Sequence, residues 1–332
     1  MENSGKLKME NGKWKVPDNR TVPMPGCIVI TGPTATGKTA VGALLGAAIG
    51  GEVVSADSMQ VYEHMDIGTA KPAEKDMLGV PHHLLSIVKP WEDYSAARYI
   101  SDASNCINDI IERKKIPIIA GGTGLYIESL LSGRSFSARA DEALRKSLEE
   151  DYDRTGGEGM LKRLEEFDSL SAKRLYANDK RRIVRAFEVY LTTGKAISQH
   201  DIETKALPPR YNAMKVALTF SSRAELYSRI DKRVLNMISD GLEKEVRSLL
   251  DMGVRPDATS MQAIGYKEMV GAVLGQSSIE DAAKVIQMQS RRYAKRQLSW
   301  LRRDGDLTWI TWEKTPDISG CVKRLAEQYE KK

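Results

Sequence analysis

The chain has 332 residues, of which 41% are hydrophobic and 29% charged, with a formal net charge of +5. This composition suits one large α/β domain with an excursion, or two domains, and so mild a positive charge names no partner by itself. The lack of a bilayer-length apolar run, the polar first twenty residues and the wide separation of Cys27, Cys106 and Cys321 argue against a membrane span, a secretory leader, a disulfide framework and a zinc site, and a cytoplasmic location is expected.

Residues 1–25 show no periodicity and are expected to be a loose tail. The first strand is predicted over 27–30. It runs into Gly32-Pro33-Thr34-Ala35-Thr36-Gly37-Lys38-Thr39, which satisfies G-x-x-x-x-G-K-[ST], and a helix-like stretch follows over 40–49. Strand, loop and helix in that order mark a P-loop of the nucleotide- and ATP-binding type. Its glycines let backbone N–H groups turn toward phosphate oxygens, and the helix N-terminus adds its positive end. Lys38 is placed to neutralise terminal phosphates and the Thr39 hydroxyl to ligate Mg²⁺. The loop alone does not choose between ATP, GTP and the diphosphate of an activated alkyl group.

The second strand, predicted over 52–55, ends in Ala56-Asp57-Ser58-Met59-Gln60. Asp57 therefore points toward the phosphate site, as a general base, as a holder of Mg²⁺ through water, or as a helix N-cap. His82-His83 looks like a metal-ligand pair but lacks partners, so a structural or hydrogen-bonding role is expected. A helix is predicted over 96–113, with Ala103, Cys106, Ile107, Ile110 and Ile111 on one face. The third strand, over 117–120, ends in Gly121-Gly122-Thr123, where a double glycine permits close approach to a ligand and Thr123 offers a hydroxyl.

From 139 to 202 the alternation stops and the pattern is wholly helical. Residues 149–168 hold eight acids and three bases, whereas 173–185 hold six bases and one acid. An inserted helical subdomain is expected there, between core segments 26–138 and 203–332. The fourth strand, over 215–220, leads to Ser221-Ser222-Arg223, with Arg223 a candidate charge clamp. The last strand is predicted over 307–311. Strand–helix alternation implies an α/β fold: a P-loop NTPase-like parallel sheet flanked by helices, with ligands beyond the carboxyl ends of its strands.

Two basic clusters stand out: Lys180-Arg181-Arg182 with Arg185, and the stretch 291–303, which holds six bases and no acid beside Tyr293 and Trp300. Basic side chains interleaved with aromatics suit nucleic acid through phosphate contacts and base stacking; a solvated helix face fits equally well.

Together these blocks resemble the tRNA dimethylallyltransferase (tRNA isopentenyltransferase) family. The matching blocks are the P-loop, Ser55-Ala56-Asp57-Ser58-Met59-Gln60-Val61-Tyr62, Met65-Asp66-Ile67-Gly68-Thr69-Ala70-Lys71-Pro72, Gly79-Val80-Pro81-His82-His83-Leu84 and the glycines before Tyr126. Asn178-Asp179 with Arg181-Arg182-Ile183-Val184-Arg185-Ala186, Ala263-Ile264-Gly265-Tyr266-Lys267 and Tyr293-Ala294-Lys295-Arg296-Gln297 complete the set, across about 26–312. The resemblance implies transfer of a dimethylallyl group from its diphosphate to N6 of the adenine just 3′ of the anticodon in tRNA, releasing diphosphate. It implies that the P-loop holds a leaving group, not an energy source. It matches Asp57 to the general base, and Thr123 and Arg223 to groups around the diphosphate and the reacting centre.

The resemblance also carries tRNA contact to Asp57, Ser58, Met59, Gln60, Thr123, Arg145, Arg181, Arg182, Ile183, Val184 and Arg185. Further along it carries the same role to Gln262, Ala263, Ile264, Gly265, Tyr266, Lys267, Ser290, Arg291, Arg292, Tyr293, Ala294, Lys295, Arg296 and Gln297. The implied partners are a tRNA anticodon stem-loop and dimethylallyl diphosphate, with Mg²⁺ as cofactor, no membrane, and a monomeric enzyme. No paired cysteines follow the core, so the compact bacterial type is expected, and the tail at 1–25 matches nothing in the family. The rival readings are an adenylate isopentenyltransferase acting on free nucleotide, a small-molecule P-loop kinase, and a tRNA-binding protein without catalysis. The Asp-Ile-Gly-Thr-Ala-Lys block and the basic clusters favour tRNA over free nucleotide, and the intact set of Lys38, Thr39 and Asp57 favours catalysis.

Overall fold

A computed structural model describes residues 8–10, 13–15, 26–133, 142–205 and 207–330. Most of the expected tail, and the first residues of the expected insertion, lie outside the described residues. Within the tail, β1 (Lys8–Glu10) pairs antiparallel with β2 (Lys13–Lys15). The chain divides into two compact units: Pro23–Leu131 with Tyr211–Lys332, and Ser132–Arg210 with Met1–Val22.

The larger unit is built on a parallel sheet. Its strands are β3 (Gly26–Thr31), β4 (Gly51–Ser55), β5 (His82–His83), β6 (Ile116–Ala120), β7 (Asn212–Phe220) and β8 (Thr308–Trp312). Their spatial order is β5-β4-β6-β3-β7-β8, every neighbour parallel. This is the expected sheet, with one strand added by the His82-His83 pair. The helices of this unit are α1 (Lys38–Ile49), α2 (Glu74–Met77), α3 (Ala96–Glu112) and α4 (Gly124–Leu131), then, after the smaller unit, α9 (Arg223–Ser239), α10 (Leu242–Asp251), α11 (Tyr266–Val273), α12 (Ile279–Leu301) and α13 (Ile318–Glu330).

Burial on both faces explains why the central strands read as continuous apolar runs. Successive residues of β3 feed opposite cores: Cys27 and Val29 join one cluster, Ile28 and Ile30 the other. Val54 and Ile119 side with the first cluster, and Val53 and Ile118 with the second. Helix α3 starts at Ser95, whose hydroxyl accepts from the Arg98 N–H, and it buries Tyr99, Ala103, Ile107 and Ile110 at helical spacing. Helices α9 and α12 begin in the same way, at Ser222 and Ser278.

The smaller unit carries α5 (Glu142–Glu165, interrupted at Gly156), α6 (Ser169–Arg174), α7 (Lys180–Thr193) and α8 (Ile197–Lys205). Its core joins Leu148, Met160 and Leu164 to Ile183, Val184, Ala186 and Phe187. Among the described residues no helix is long and apolar enough to cross a membrane.

The structural role expected of His82-His83 has a clear physical basis. Glu52 on β4 is 1% exposed, and His83 Nε2 lies 2.8 Å from its Oε2. Arg113 Nη2 and Lys115 Nζ each donate to the same carboxylate at 2.8 Å. Those donors, Arg113 foremost, hold the Glu52 carboxyl well below the usual carboxylate range. Glu52→Gln should therefore cost about 1–3 kcal/mol, since it takes the charge from a buried acceptor whose partners face solvent. A depressed folded-state pKa gives stability that is complete above the unfolded value near 4.3 and fades as pH falls toward the folded one. Thermal melts should show a constant gap between wild type and variant above about pH 5 that narrows below about pH 4. A gap independent of pH would remove the ion pairs from the account.

Candidate active site

The first strand delivers the phosphate loop. Gly32 has φ 142° and sits so close to β7 that a Cβ there would lie 2.3 Å from the Leu218 carbonyl oxygen, which leaves glycine as the residue that fits. Gly37, at φ 91°, caps α1 without a side-chain hydrogen bond, so the first N–H groups of the helix are left for an anion. The loop is braced from inside: the Thr36 hydroxyl donates to Pro33 O at 2.8 Å, and Trp312 Nε1 donates to Thr36 O at 3.0 Å. Lys38 Nζ folds over the loop and donates to Pro33 O at 2.8 Å.

The second strand delivers Asp57. The β4 and β6 tips are tied by Ala56 N–H donating to Ala120 O and Thr123 N–H donating to Ala56 O, at 2.8 and 3.1 Å. Asp57 Oδ1 accepts from the N–H groups of Met59 and Gln60, so it caps a turn and not a helix. Oδ2 has no hydrogen-bond partner among the described residues, and Asp57 faces a cavity of about 350 Å³ in the larger unit.

Thr34, Lys38, Thr39 and Asp57 line that cavity together with Arg233 of α9, which the sequence reading missed. Burial, then the nearby Arg233, lowers the Lys38 ammonium to about 8, while Asp57 acts against them. Burial also lowers the Arg233 guanidinium, against the pull of Asp57. The lining also has apolar members, Ile230, Val234 and Met237 flanking Arg233 on α9, with Ile264 and Ile286. Polyphosphate chemistry and a short apolar group therefore fit in one chamber.

Arg223 is the first residue of α9, exposed, and absent from the cavity lining; the guanidinium that reaches the cavity belongs to Arg233. The signal for Arg233 was a lone arginine inside the apolar stripe Leu226, Ile230, Val234, Met237. Thr123 stands behind the lining, its hydroxyl accepting from Ser58 N–H at 3.1 Å and donating to Ser58 Oγ at 3.5 Å. Burial, then Asp57, pushes the Tyr293 phenol up to about 12, so it stays protonated.

The double glycine serves the protein's own packing as much as any ligand. A Cβ on Gly121 would meet the Ala56 carbonyl at 2.2 Å, and one on Gly122 the Gln297 amide nitrogen at 2.4 Å.

Of the expected tRNA contacts, Asp57, Ser58, Met59, Gln60, Gln262, Ala263, Ile264, Ser290, Tyr293, Arg296 and Gln297 line the cavity. Arg292, Lys295 and Arg296 also line an open groove of about 590 Å³ along α12, with Ser299, Trp300 and Arg303. Arg296 belongs to both and stacks over the Tyr293 ring at 5.5 Å.

Several expected contacts need correcting. Ile183, Val184 and Ala294 are at most 1% exposed and belong to cores, so their side chains do not meet a partner. Tyr266 is fully buried and its hydroxyl donates to Glu245. Arg291 is paired with Asp231 of α9. Gln297 spends both ends of its amide inside the protein: Oε1 accepts from Thr34 N–H at 3.1 Å and Nε2 donates to Gly122 O at 2.8 Å. In this way it braces the P-loop against the turn after β6. Gly265 is the positive-φ cap of α11, and Lys267 is exposed in its first turn.

In the smaller unit, Arg181 is exposed and Arg182 pairs with Asp179. Arg145 and Arg185 both lean on the buried Glu188, at 3.8 and 3.2 Å.

The family model described as "IPP transferase" matches residues 60–304, and that described as "Isopentenyl transferase" matches 25–87. A protein named tRNA dimethylallyltransferase from Desulforudis audaxviator is 43% identical over 93% of this chain and 99% of its own. Another of that name, from Acetivibrio thermocellus, is 41% identical over 91% and 96%. The crystal structure of a tRNA isopentenylpyrophosphate transferase from Staphylococcus epidermidis is similar with a TM-score of 0.68 at 37% identity, covering 92% of this chain and 99% of that one. A eukaryotic dimethylallyltransferase acting on tRNA gives a TM-score of 0.77 at 28% identity, covering 92% and 77%.

The ammonium of Lys38 gives the site a pH signature. Inorganic diphosphate should bind best below about pH 8, and its affinity should fall by up to tenfold per unit above that, as Lys38 loses its proton. Isothermal titration beside Lys38→Met separates this from the ligand's own ionisation, because the variant should lack the component centred on 8. The same pH profile in both proteins would take Lys38 out of anion binding.

Proposed function

The chain belongs to the IPP transferase family, and from that membership we infer how its cavity dimethylallylates tRNA. The protein is a prenyltransferase that acts on tRNA. We propose dimethylallyl diphosphate as donor and N6 of the adenine 3′ of the anticodon as acceptor. One observation carries this reading: two half-buried cations, one carboxylate with an unshared oxygen and an apolar wall meet in a cavity that adjoins a basic groove through Arg296.

The diphosphate is held by the α1 N–H groups, Lys38 and Arg233. The apolar wall takes the five-carbon group. An exocyclic amine is a weak nucleophile, so Asp57 Oδ2 accepts its proton as the N6–C bond forms and the donor C–O bond breaks. The electron pair of that bond leaves on the diphosphate, where Lys38 and Arg233 meet the growing charge. Thr123 keeps the Asp57 turn in place from behind through Ser58.

Magnesium needs few protein oxygens when phosphates and water complete its shell. Thr39, exposed at the start of α1 and lining the cavity, fits that donor set, and no cluster of three His, Cys, Asp or Glu among the described residues offers another. When bound there, it would neutralise charge on the diphosphate.

The adenine must be turned out of its loop to reach a cavity of this size. Phosphates of the stem-loop suit Arg292, Lys295 and Arg296 in the groove, and Arg181 and Arg182 in the smaller unit. A monomeric enzyme is part of this proposal, and the free Cys27, Cys106 and Cys321 suit a reducing cytoplasm.

Mass analysis of tRNA nucleosides after incubation with dimethylallyl diphosphate tests the reading directly, with adenosine monophosphate as a parallel acceptor. Modification of tRNA alone is expected; equal use of the mononucleotide would transfer the assignment to a free-nucleotide enzyme. Asp57→Ala should keep tRNA binding and lose roughly 10²-fold or more in turnover. Replacing Lys295 and Arg296 together by Gln should weaken tRNA binding and flatten the log–log salt slope by about 1.5, with donor affinity unchanged. An unaltered slope would place the phosphates elsewhere.

A further inference from the structure

The block Asp66-Ile67-Gly68-Thr69-Ala70-Lys71 has so far no part in the reaction, yet Gly68, Thr69 and Ala70 line the cavity. Its hydrogen bonds show what it does. Glu245, on α10 and 179 residues away from Asp66, receives the whole start of this loop. Its Oε2 accepts from the N–H groups of Asp66 and Ile67 at 2.9 and 2.8 Å, and its Oε1 from the Gly68 N–H at 3.1 Å. The Tyr266 hydroxyl donates to Oε1 as well. Burial, with the carboxylate beside it, raises the Tyr266 phenol far above its ordinary value, so tyrosine is the donor. Gly68 lies against the Tyr266 ring, where a Cβ would approach to 2.4 Å, so the loop seats on α11 without a side chain in between. Lys71 closes the other end: its ammonium donates to Tyr62 O, Asp66 Oδ1 and Ser86 Oγ at 2.7, 2.6 and 2.7 Å.

The carbonyls between these anchors face the site. Thr69 O accepts from Arg233 Nη2 at 3.3 Å and from Gln60 Nε2 at 3.3 Å, and Ala70 O accepts from the same Gln60 amide. Among the described residues Arg233 has no ion pair with a carboxylate and no other hydrogen bond. A guanidinium held by one carbonyl takes its direction from whatever fixes that carbonyl.

We propose that Glu245 is a positioning residue for Arg233: by clamping the N–H groups of Asp66, Ile67 and Gly68 it fixes the Thr69 carbonyl that aims the guanidinium into the cavity. The inference rests on the assignment of Arg233 to the diphosphate. Glu245 touches no substrate; it sets kcat through Arg233 and leaves tRNA affinity alone. Glutamine is the informative replacement, because it keeps the size and one acceptor but turns the other end of the clamp into a donor facing N–H groups.

The test is a double-mutant cycle read in single-turnover rate, tRNA Kd and melting temperature. Arg233→Ala should lower the rate by about 10²–10³-fold. Glu245→Gln should lower it by about tenfold or more, with tRNA Kd within about twofold. The two together should be no slower than Arg233→Ala alone, since residues that act through one another do not multiply their effects. A general structural role predicts the tenfold loss again in the Arg233→Ala background. If Glu245→Gln melts too low to assay, Tyr266→Phe removes one donor and spares the three N–H bonds. It should lose about two- to fivefold, and that loss should vanish when Arg233 is Ala. Multiplying losses, a normal rate in Glu245→Gln, or a loss confined to tRNA Kd would each overturn the proposal. A slow Arg233→Ala beside a normal Glu245→Gln sinks this inference and spares the diphosphate assignment. A normal Arg233→Ala sinks both.

Discussion

Lys38 and Arg233 share one half-buried cavity with one carboxylate, Asp57, and that surplus of positive charge is the constraint on which the rest of the larger unit depends. Partly buried cations without full compensation are costly. The cost appears as a lysine already lowered toward neutrality and an arginine held by a single carbonyl. An anion carrying two or more charges relieves it at once. A departing diphosphate relieves it more than a bound ester does, because its charge grows as the bond breaks, and that difference is what catalysis needs. The apolar residues beside Arg233, Ile230, Val234 and Met237, give the same cavity a surface that suits a hydrocarbon tail next to the anion.

Sheet order explains how the groups come together. In the order β5-β4-β6-β3-β7-β8, the P-loop strand β3 lies between β6 and β7, and the Asp57 strand β4 lies beyond β6. The tips of β3, β6 and β4 thus deliver Lys38, Thr123 and Asp57 to one edge, as the rule for parallel sheets requires. What a strand tip cannot supply comes from helices: Arg233 from α9, and Tyr293, Arg296 and Gln297 from α12. The amide of Gln297 links the two sources, since it bonds to the P-loop and to the turn after β6 at once.

The sheet was legible because its strands are short apolar runs, each followed by a helix. The motif G-x-x-x-x-G-K-[ST] located the anion site because the backbone geometry it encodes is local. His82-His83 was read for its side chains, and its two residues are too few for a strand pattern; they pair with β4 while His83 serves Glu52. The strand-tip rule pointed to Arg223, but α9 carries its working arginine ten residues on, about 15 Å along the axis at 1.5 Å per residue. Motif matching also credited whole blocks with contact. Ile183 and Val184 stand beside Arg182 in sequence and on the opposite side of α7, in the core, and Ala294 has the same relation to Lys295 on α12. Helical period separates such neighbours where a motif does not.

The hydrogen bond from Trp312 Nε1 to Thr36 O joins positions 276 residues apart. Strand β3 pairs with β6 and with β7, which follows the smaller unit, and its loop has the Trp312 brace from β8. On the ribosome, at roughly 5–20 residues per second, the phosphate loop would wait tens of seconds for that partner. A nascent chain released early would carry the complete loop motif without the contact that shapes it. Long-range closure of this kind slows folding, and it leaves the phosphate loop's brace dependent on a residue made 276 positions later.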